Sequence, residues 1–194
     1  AIFITKTRQY KKNCGARTMP ITLHLPETKT TTAREEIELR RLERVLTPEW
    51  LKEYLIPVIT QRSRVSIRVM DWLVTNYSKE HKITYTYKKG KVQRIFDVHH
   101  EYKRTLDSLG RPLFDPFRRQ DRLTFAVEET QKDEQGNDIA KEVTYQSTLG
   151  QLTFWHWAQT KGVFRFCYDN AEKIEKHMTM ALFLRDKKKK SSKT

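Results

Sequence analysis

Two cysteines, six glycines and six prolines are few for 194 residues, and each scarcity removes a class of protein. Cys14 and Cys167 make neither a disulfide framework nor a metal-ligand set, which fits a reducing compartment. The glycines stand singly, each where a turn or cap needs one, whereas a phosphate loop clusters them so that backbone N–H groups can approach the anion. P-loop and dinucleotide-binding readings are therefore excluded. No run reaches the roughly 20 apolar residues of a membrane span, and no apolar leader segment follows the first lysines, so the chain is expected not to be secreted. The initial Ala fits the expectation that an initiator Met has been removed.

Reactive constellations are absent too. No serine sits in a Gly-x-Ser-x-Gly elbow. The six histidines offer one adjacent pair, His99-His100, whose side chains diverge by about 100° on a helix, and no His-x3-His or Cys-x2-Cys spacing joins them. Cys167, inside FRFCYDN, reads as a small buried hydrophobe. The acidic pairs Glu35-Glu36, Glu128-Glu129 and Asp133-Glu134 read as solvated helix or turn residues. The expectation is no enzyme, no cofactor and no metal.

What is present begins with 21 aromatic residues, too many for a disordered chain. Net charge is +14, but it is unevenly placed. Residues 1–20 carry five basic and no acidic side chains, and residues 185–194 carry six basic and one acidic. The body between is nearly balanced, so basicity is delivered by two arms. Point charges on such arms contact phosphates or lipid headgroups without reading sequence.

Local signals then place elements. An extended arm over 1–32, with a short strand at Ile21–Leu25, precedes Thr32-x-x-Glu35, a capping box. The helix it opens puts Ile37, Leu42, Val45 and Leu46 on an apolar stripe. Thr47-Pro48 starts a second helix, which Pro57 ends or kinks; a third runs from Ser63 to about His81. KITYTYKKGKVQRIFDV alternates as a hairpin, and Asp97 caps a short helix that Gly110 closes. A second hairpin turns at KDEQGND, Thr148-x-x-Gln151 opens a helix ended by Gly162, VFRFCY reads as extended, and Asn170 caps the last helix. The fold class is α+β: about six helices around a single core, with two small antiparallel hairpins and extended basic arms at both ends. The expected division is an N-terminal arm at 1–32, one globular domain at 33–184 and a C-terminal tail at 185–194.

Two clusters invite a functional reading. Trp155-His156-Trp157 suggests a stacking platform, but two tryptophans about 200° apart on a helix suit a core residue plus a partner-facing one better. FDPFRRQDRLTF, residues 114–125, packs three arginines beside Asp115 and Asp121. Asp115-Pro116 favours a turn that tucks Phe114 and Phe117 beneath it. Either Arg118, Arg119 and Arg122 pair with the two aspartates in a structural corner, or they form a patch for phosphate or an acidic partner.

Three blocks, RVMDWLVTNYSKEHKI, HHEYKRTLDSLGRPLFDPFRRQDRLTF and QSTLGQLTFWHWAQTKGVFRF, occur in this order over roughly residues 65–177. Together they resemble a family of small proteins of nucleocytoplasmic large DNA viruses infecting algae or amoebae. The resemblance implies a virus with a large icosahedral capsid, an internal membrane and a DNA genome, and it brings no catalytic residue. The expectation is a minor capsid or cement protein, made in host cytoplasm and assembled into the virion. Its partners would be capsid proteins, with the viral genome or inner membrane surface meeting the basic arms. The alternative is a nucleic-acid-binding accessory protein of viral transcription or genome packaging. Expected contacts to an anionic partner are Lys6, Arg8, Lys11, Lys12, Arg17, Arg118, Arg119, Arg122, Lys187, Lys188, Lys189 and Lys190.

Overall fold

The computed structural model describes residues 21–89 and 92–191, the side chains of 87–89, 92 and 189–191 excepted. Contacts divide these residues into two compact units, one of 21–62 with 109–158 and one of 63–108 with 159–191. The fold is α+β, as expected: six helical rods and two antiparallel two-stranded sheets among the described residues.

In the first unit, α1 (Ala33–Val45) opens with the full capping box: Thr32 Oγ1 accepts from Glu35 N while Glu35 accepts from Thr32 N. Thr47 caps α2 (Pro48–Trp50), which continues through a wider π turn, Leu51–Leu55, into α3 (Ile56–Ile59). Pro57 has no N–H for the carbonyl one turn back, and the wide turn upstream absorbs the mismatch. The rod ends where Gln61 turns left-handed at φ 57°. The hairpin pairs β3 (Arg122–Lys132) with β4 (Asp138–Thr148), placing Phe125 opposite Tyr145 and Val127 opposite Val143. At its tip Gly136 has φ 84° and the Asp133 carboxylate accepts from the N–H groups of Gln135 and Asn137. The strand expected over 21–25 is a single bridge, His24 to Thr124.

α7 (Leu149–Thr160) starts at Thr148, whose hydroxyl accepts from Gln151 N. Trp155 and Trp157 are both buried, so the partner-facing tryptophan expected here is a core residue; Leu152, Phe154 and Ala158 complete a helix buried on nearly every side. α1 differs from its expected stripe. Leu42 and Leu46 are buried, Ile37 is 67% exposed, and the inner face is completed by Glu35 and Glu38.

In the second unit, Ser66 caps α4 (Ile67–Trp72), which runs through a π turn, Leu73–Tyr77, into α5 (Ser78–His81). The helix thus starts four residues later than Ser63, whose hydroxyl instead holds Val65 N in a local turn. β1 (Thr84–Lys89) and β2 (Val92–Asp97) pair in one hairpin. Asp97 accepts from His100 N to start α6 (Val98–Leu109), and Gly110 closes it at φ 76°.

α8 (Val163–Ser191) overturns three expectations. VFRFCY is helical, and Asn170 sits inside the helix with Nδ2 donating to Phe166 O rather than capping. Gly162, at φ 78°, ends α7 and lets Val163 restart a helix at once. Val163, Cys167, Ala171, Ile174 and Met178 recur at three and four and are all buried, which a strand would not produce. The tail expected from 185 also continues this helix to Ser191.

Candidate functional site

The corner at 114–125 is built on an Asx turn. Asp115 Oδ1 accepts from Phe117 N at 2.8 Å, and Arg118 N donates to Asp115 O. The corner is tied to the start of α7: Asp115 N donates to Gly150 O, and Gln151 Nε2 donates to Pro116 O at 3.0 Å. A Cβ on Gly150 would come within 3.2 Å of Asp115 N and Pro112 O, so only glycine lets these backbones meet without displacement. Phe114 is fully buried against Phe154 and Trp157, its ring centroid 5.4 Å from each. Phe117, expected beneath the turn, is 43% exposed; Pro116 is buried in its place.

The three arginines separate. Arg118 Nη2 lies 2.6 Å from Asp121 Oδ2, and Lys29 Nζ reaches the same oxygen at 3.5 Å. Lys29 also meets Glu35 at 2.8 Å. The result is a closed chain of alternating charge, Arg118, Asp121, Lys29 and Glu35, ending on the Thr32 cap. The Arg118 guanidinium holds the Asp121 carboxyl below its usual range. Glu35 is drawn down to about 2, chiefly by its hydrogen bond from Lys29 and then by the Thr32 N–H. Arg122 donates to Gln146 at 3.2 Å across the strand pair, and Arg119 is exposed. Thus Arg118 is held in the structural corner, while Arg119 and Arg122 keep an outward-facing side.

A second cluster escaped the sequence reading. Glu38 receives a two-point contact from Arg41, Nε to Oε2 at 2.8 Å and Nη2 to Oε1 at 2.5 Å. Thr153 Oγ1 donates to Glu38 Oε1 at 3.0 Å. His156 is driven down to about 4, first by burial and then by the positive charge of Arg41. Spacing alone cannot bring Glu38 to Thr153, which lies 115 residues later. Nearby chemistry is of one kind: a buried carboxylate whose oxygens are taken up by donors from Arg41 and Thr153.

In the second unit Glu80, His81 and His177 bring three potential ligand atoms within 4.8 Å of one another. Trp72 Nε1 donates to His177 Nδ1 at 3.0 Å. Because an indole nitrogen only donates, Nδ1 carries no proton; the ring proton is then assigned to Nε2, which faces Glu80 Oε2 at 3.0 Å. A cation on Nε2 would need the proton moved to Nδ1, directly against the indole N–H. The cluster is thus oriented as a hydrogen-bonded helix contact. Cys167 is buried and its thiol pushed up to about 12 by burial, which removes it as a nucleophile.

Lys6, Arg8, Lys11, Lys12 and Arg17 lie outside the described residues, as do the side chains of Lys189 and Lys190. Lys187 and Lys188 are exposed on α8, with Lys187 Nζ 4.7 Å above the centre of the Phe183 ring. No described helix is long and apolar enough to cross a membrane.

Residues 28–194 match DUF7197, a family of unknown function, and the chain belongs to that family. It is also 35% identical over 140 residues to an uncharacterized protein of Acanthamoeba polyphaga mimivirus, an alignment covering 71% of this chain and 51% of the relative. The chain therefore spans about half the length of the curated relative it matches. That relative supports an origin in a nucleocytoplasmic large DNA virus. No solved structure matches the chain.

Proposed function

We propose that this protein is a non-enzymatic structural component of the virion, a minor capsid or cement protein that binds neighbouring capsid subunits of a large icosahedral DNA virus. The observation that carries this reading is how the chain uses its polar groups. Arg118, Asp121, Lys29 and Glu35 neutralise one another, and Glu38 is enclosed by Arg41 and Thr153. Meanwhile several large apolar side chains face outward, among them Ile37 at 67%, Ile95 at 76% and Met180 at 60% exposure. A protein that glues others together needs its own polar groups satisfied and outward apolar contact points, and the viral relative supplies the setting.

Fractionating purified virions with mild detergent and salt, followed by mass spectrometry, tests this. The expected result is recovery with the capsid shell at a fixed ratio to the major capsid protein, in a complex burying well over ~1,000 Å2 against its neighbours. Recovery with the DNA, released by salt, would refute it and favour the nucleic-acid reading, with the outward Arg119, Arg122, Lys187 and Lys188 on phosphates.

A further inference from the structure

α8 presents two apolar rows, and only one is covered. Cys167, Ala171, Ile174 and Met178 form the row buried within the second unit. Met180, Phe183 and Leu184 are 60%, 54% and 51% exposed and lie on a different side, roughly 150° around the helix at 100° per residue. After Met178 no residue of the helix is buried among those described, so this last stretch runs along the surface.

Charge is sorted on the same axis. Lys173, Lys176 and Lys187 fall within about 60° of Met180, bracketing the apolar residues along the helix, and all three are exposed. Lys188, about 80° from Met180, is also exposed, whereas Arg185 falls about 140° away on the far side. The acids Glu175 and Asp186 fall over 100° away by the same spacing, whereas Asp169 and Glu172, which lie nearer this face, are each paired with an arginine, Arg165 and Arg64. The Lys187 ammonium lies over the Phe183 ring, its Nζ 4.7 Å from the ring centroid, so cation and apolar side chain share this face.

We propose that this outer face of α8, built from Met180, Phe183 and Leu184 between Lys173, Lys176, Lys187 and Lys188, binds an anionic lipid surface with the helix lying in the plane of the headgroups. The inference goes beyond the capsid reading and does not depend on it. Two requirements select this occupant. The apolar residues need an apolar sink, which a nucleic-acid backbone does not provide. The lysines need a dense negative partner, which a second copy of this same cationic face cannot supply. An anionic bilayer meets both, since apolar side chains enter the acyl boundary while lysine stems snorkel to the headgroups. The stretch from Lys173 to Lys188 is about 22 Å long at 1.5 Å per residue, several headgroups across. As no described helix can span a bilayer, binding would be peripheral.

The experiment is flotation of the full chain with vesicles of phosphatidylcholine alone and of phosphatidylcholine mixed with phosphatidylserine, at low and at raised salt. Wild type is expected to float with the mixed vesicles at least tenfold more than with neutral ones, and less as salt rises. The double variant Phe183→Ser with Leu184→Ser should lose about tenfold in binding while keeping its far-UV circular dichroism, because both side chains are exposed. Lys187→Glu with Lys188→Glu should abolish the preference for the anionic lipid. The proposal fails if neither vesicle binds the protein. It fails equally if anionic binding survives the Phe183 and Leu184 substitutions unchanged, since the basic N-terminal segment would then be responsible. Recovery with duplex DNA but with no vesicle would also overturn it. Failure here would leave virion fractionation free to uphold the capsid reading, and the reverse.

Discussion

Replacing His156 with glutamine should make the protein less sensitive to mild acid. The ring sits in the first unit beside Trp50, with ring centroids 6.1 Å apart, and its pKa falls to about 4 because burial and the nearby Arg41 both oppose a positive charge. In the unfolded chain the same histidine titrates near ~6.5. Between the two values the unfolded state binds more protons. Stability tied to His156 is therefore full above about pH 6.5 and falls as pH drops toward about 4. For a fully shielded ring, linkage between those values gives about 2 kcal/mol lost from pH 7.5 to pH 5. Partial exposure of the ring lowers the expected figure to about 1–2 kcal/mol. Urea unfolding at the two pH values measures it directly, comparing wild type with His156→Gln. Any fixed cost of the substitution appears at both pH values and cancels, so the change in stability with pH is the readout. Wild type should lose about 1–2 kcal/mol more than the variant on going to pH 5. Identical pH dependence in the two proteins would refute the reasoning, because it would mean the folded ring accepts a proton as readily as the unfolded one.

The remaining predictions concern the corner and the core. Glu35→Ala removes half of the capping box and the partner of Lys29, and should cost about 1–2 kcal/mol in urea unfolding at neutral pH. Since the Glu35 carboxyl is depressed to about 2, that contribution is full above its unfolded value and is lost as pH falls through about 2, so the difference from wild type should shrink in strong acid. Gly150→Ala should destabilise by about 1–3 kcal/mol, because the methyl meets the backbone of Pro112 and Asp115 rather than a movable side chain. Mass spectrometry after iodoacetamide treatment near neutral pH should find Cys167 labelled only when urea is present. Rapid labelling in the folded protein would contradict its buried, protonated state.

Features held by neighbours in sequence were legible in the sequence; features that depend on distant partners were not. Thr32 with Glu35, Thr47 with Pro48, Asp97 and Thr148 each satisfy free N–H groups within three residues, so the starts of four helices followed from local chemistry. The pairing of Arg118 with Asp121 is equally local. Lys29 is not, since it closes the network from 92 positions before Asp121, and so the choice between corner and patch could not be made from spacing. The inward turn of Glu38 went the same way: a charged residue on an amphipathic helix reads as solvated until a donor such as Thr153 arrives from elsewhere.

α8 fails for a subtler reason. Val163, Phe164, Phe166 and Cys167 are residues that strands favour, and composition won over period in a stretch too short for period to speak. Extended to Met178, the three-and-four spacing is unambiguous, but it then yields two apolar rows, the second being Met180, Phe183 and Leu184. Periodicity alone cannot say which row meets the core. The lysines can: a row that continues into Lys187 and is preceded by Lys173 and Lys176 cannot be buried without stranding ammonium groups, whereas the row through Ala171, Ile174 and Met178 meets no charge until Arg185, past its last buried residue. The side proposed to meet a lipid surface is therefore written in the same residues that exclude it from the core, and it becomes readable once the helix is known to run unbroken from Val163 to Ser191.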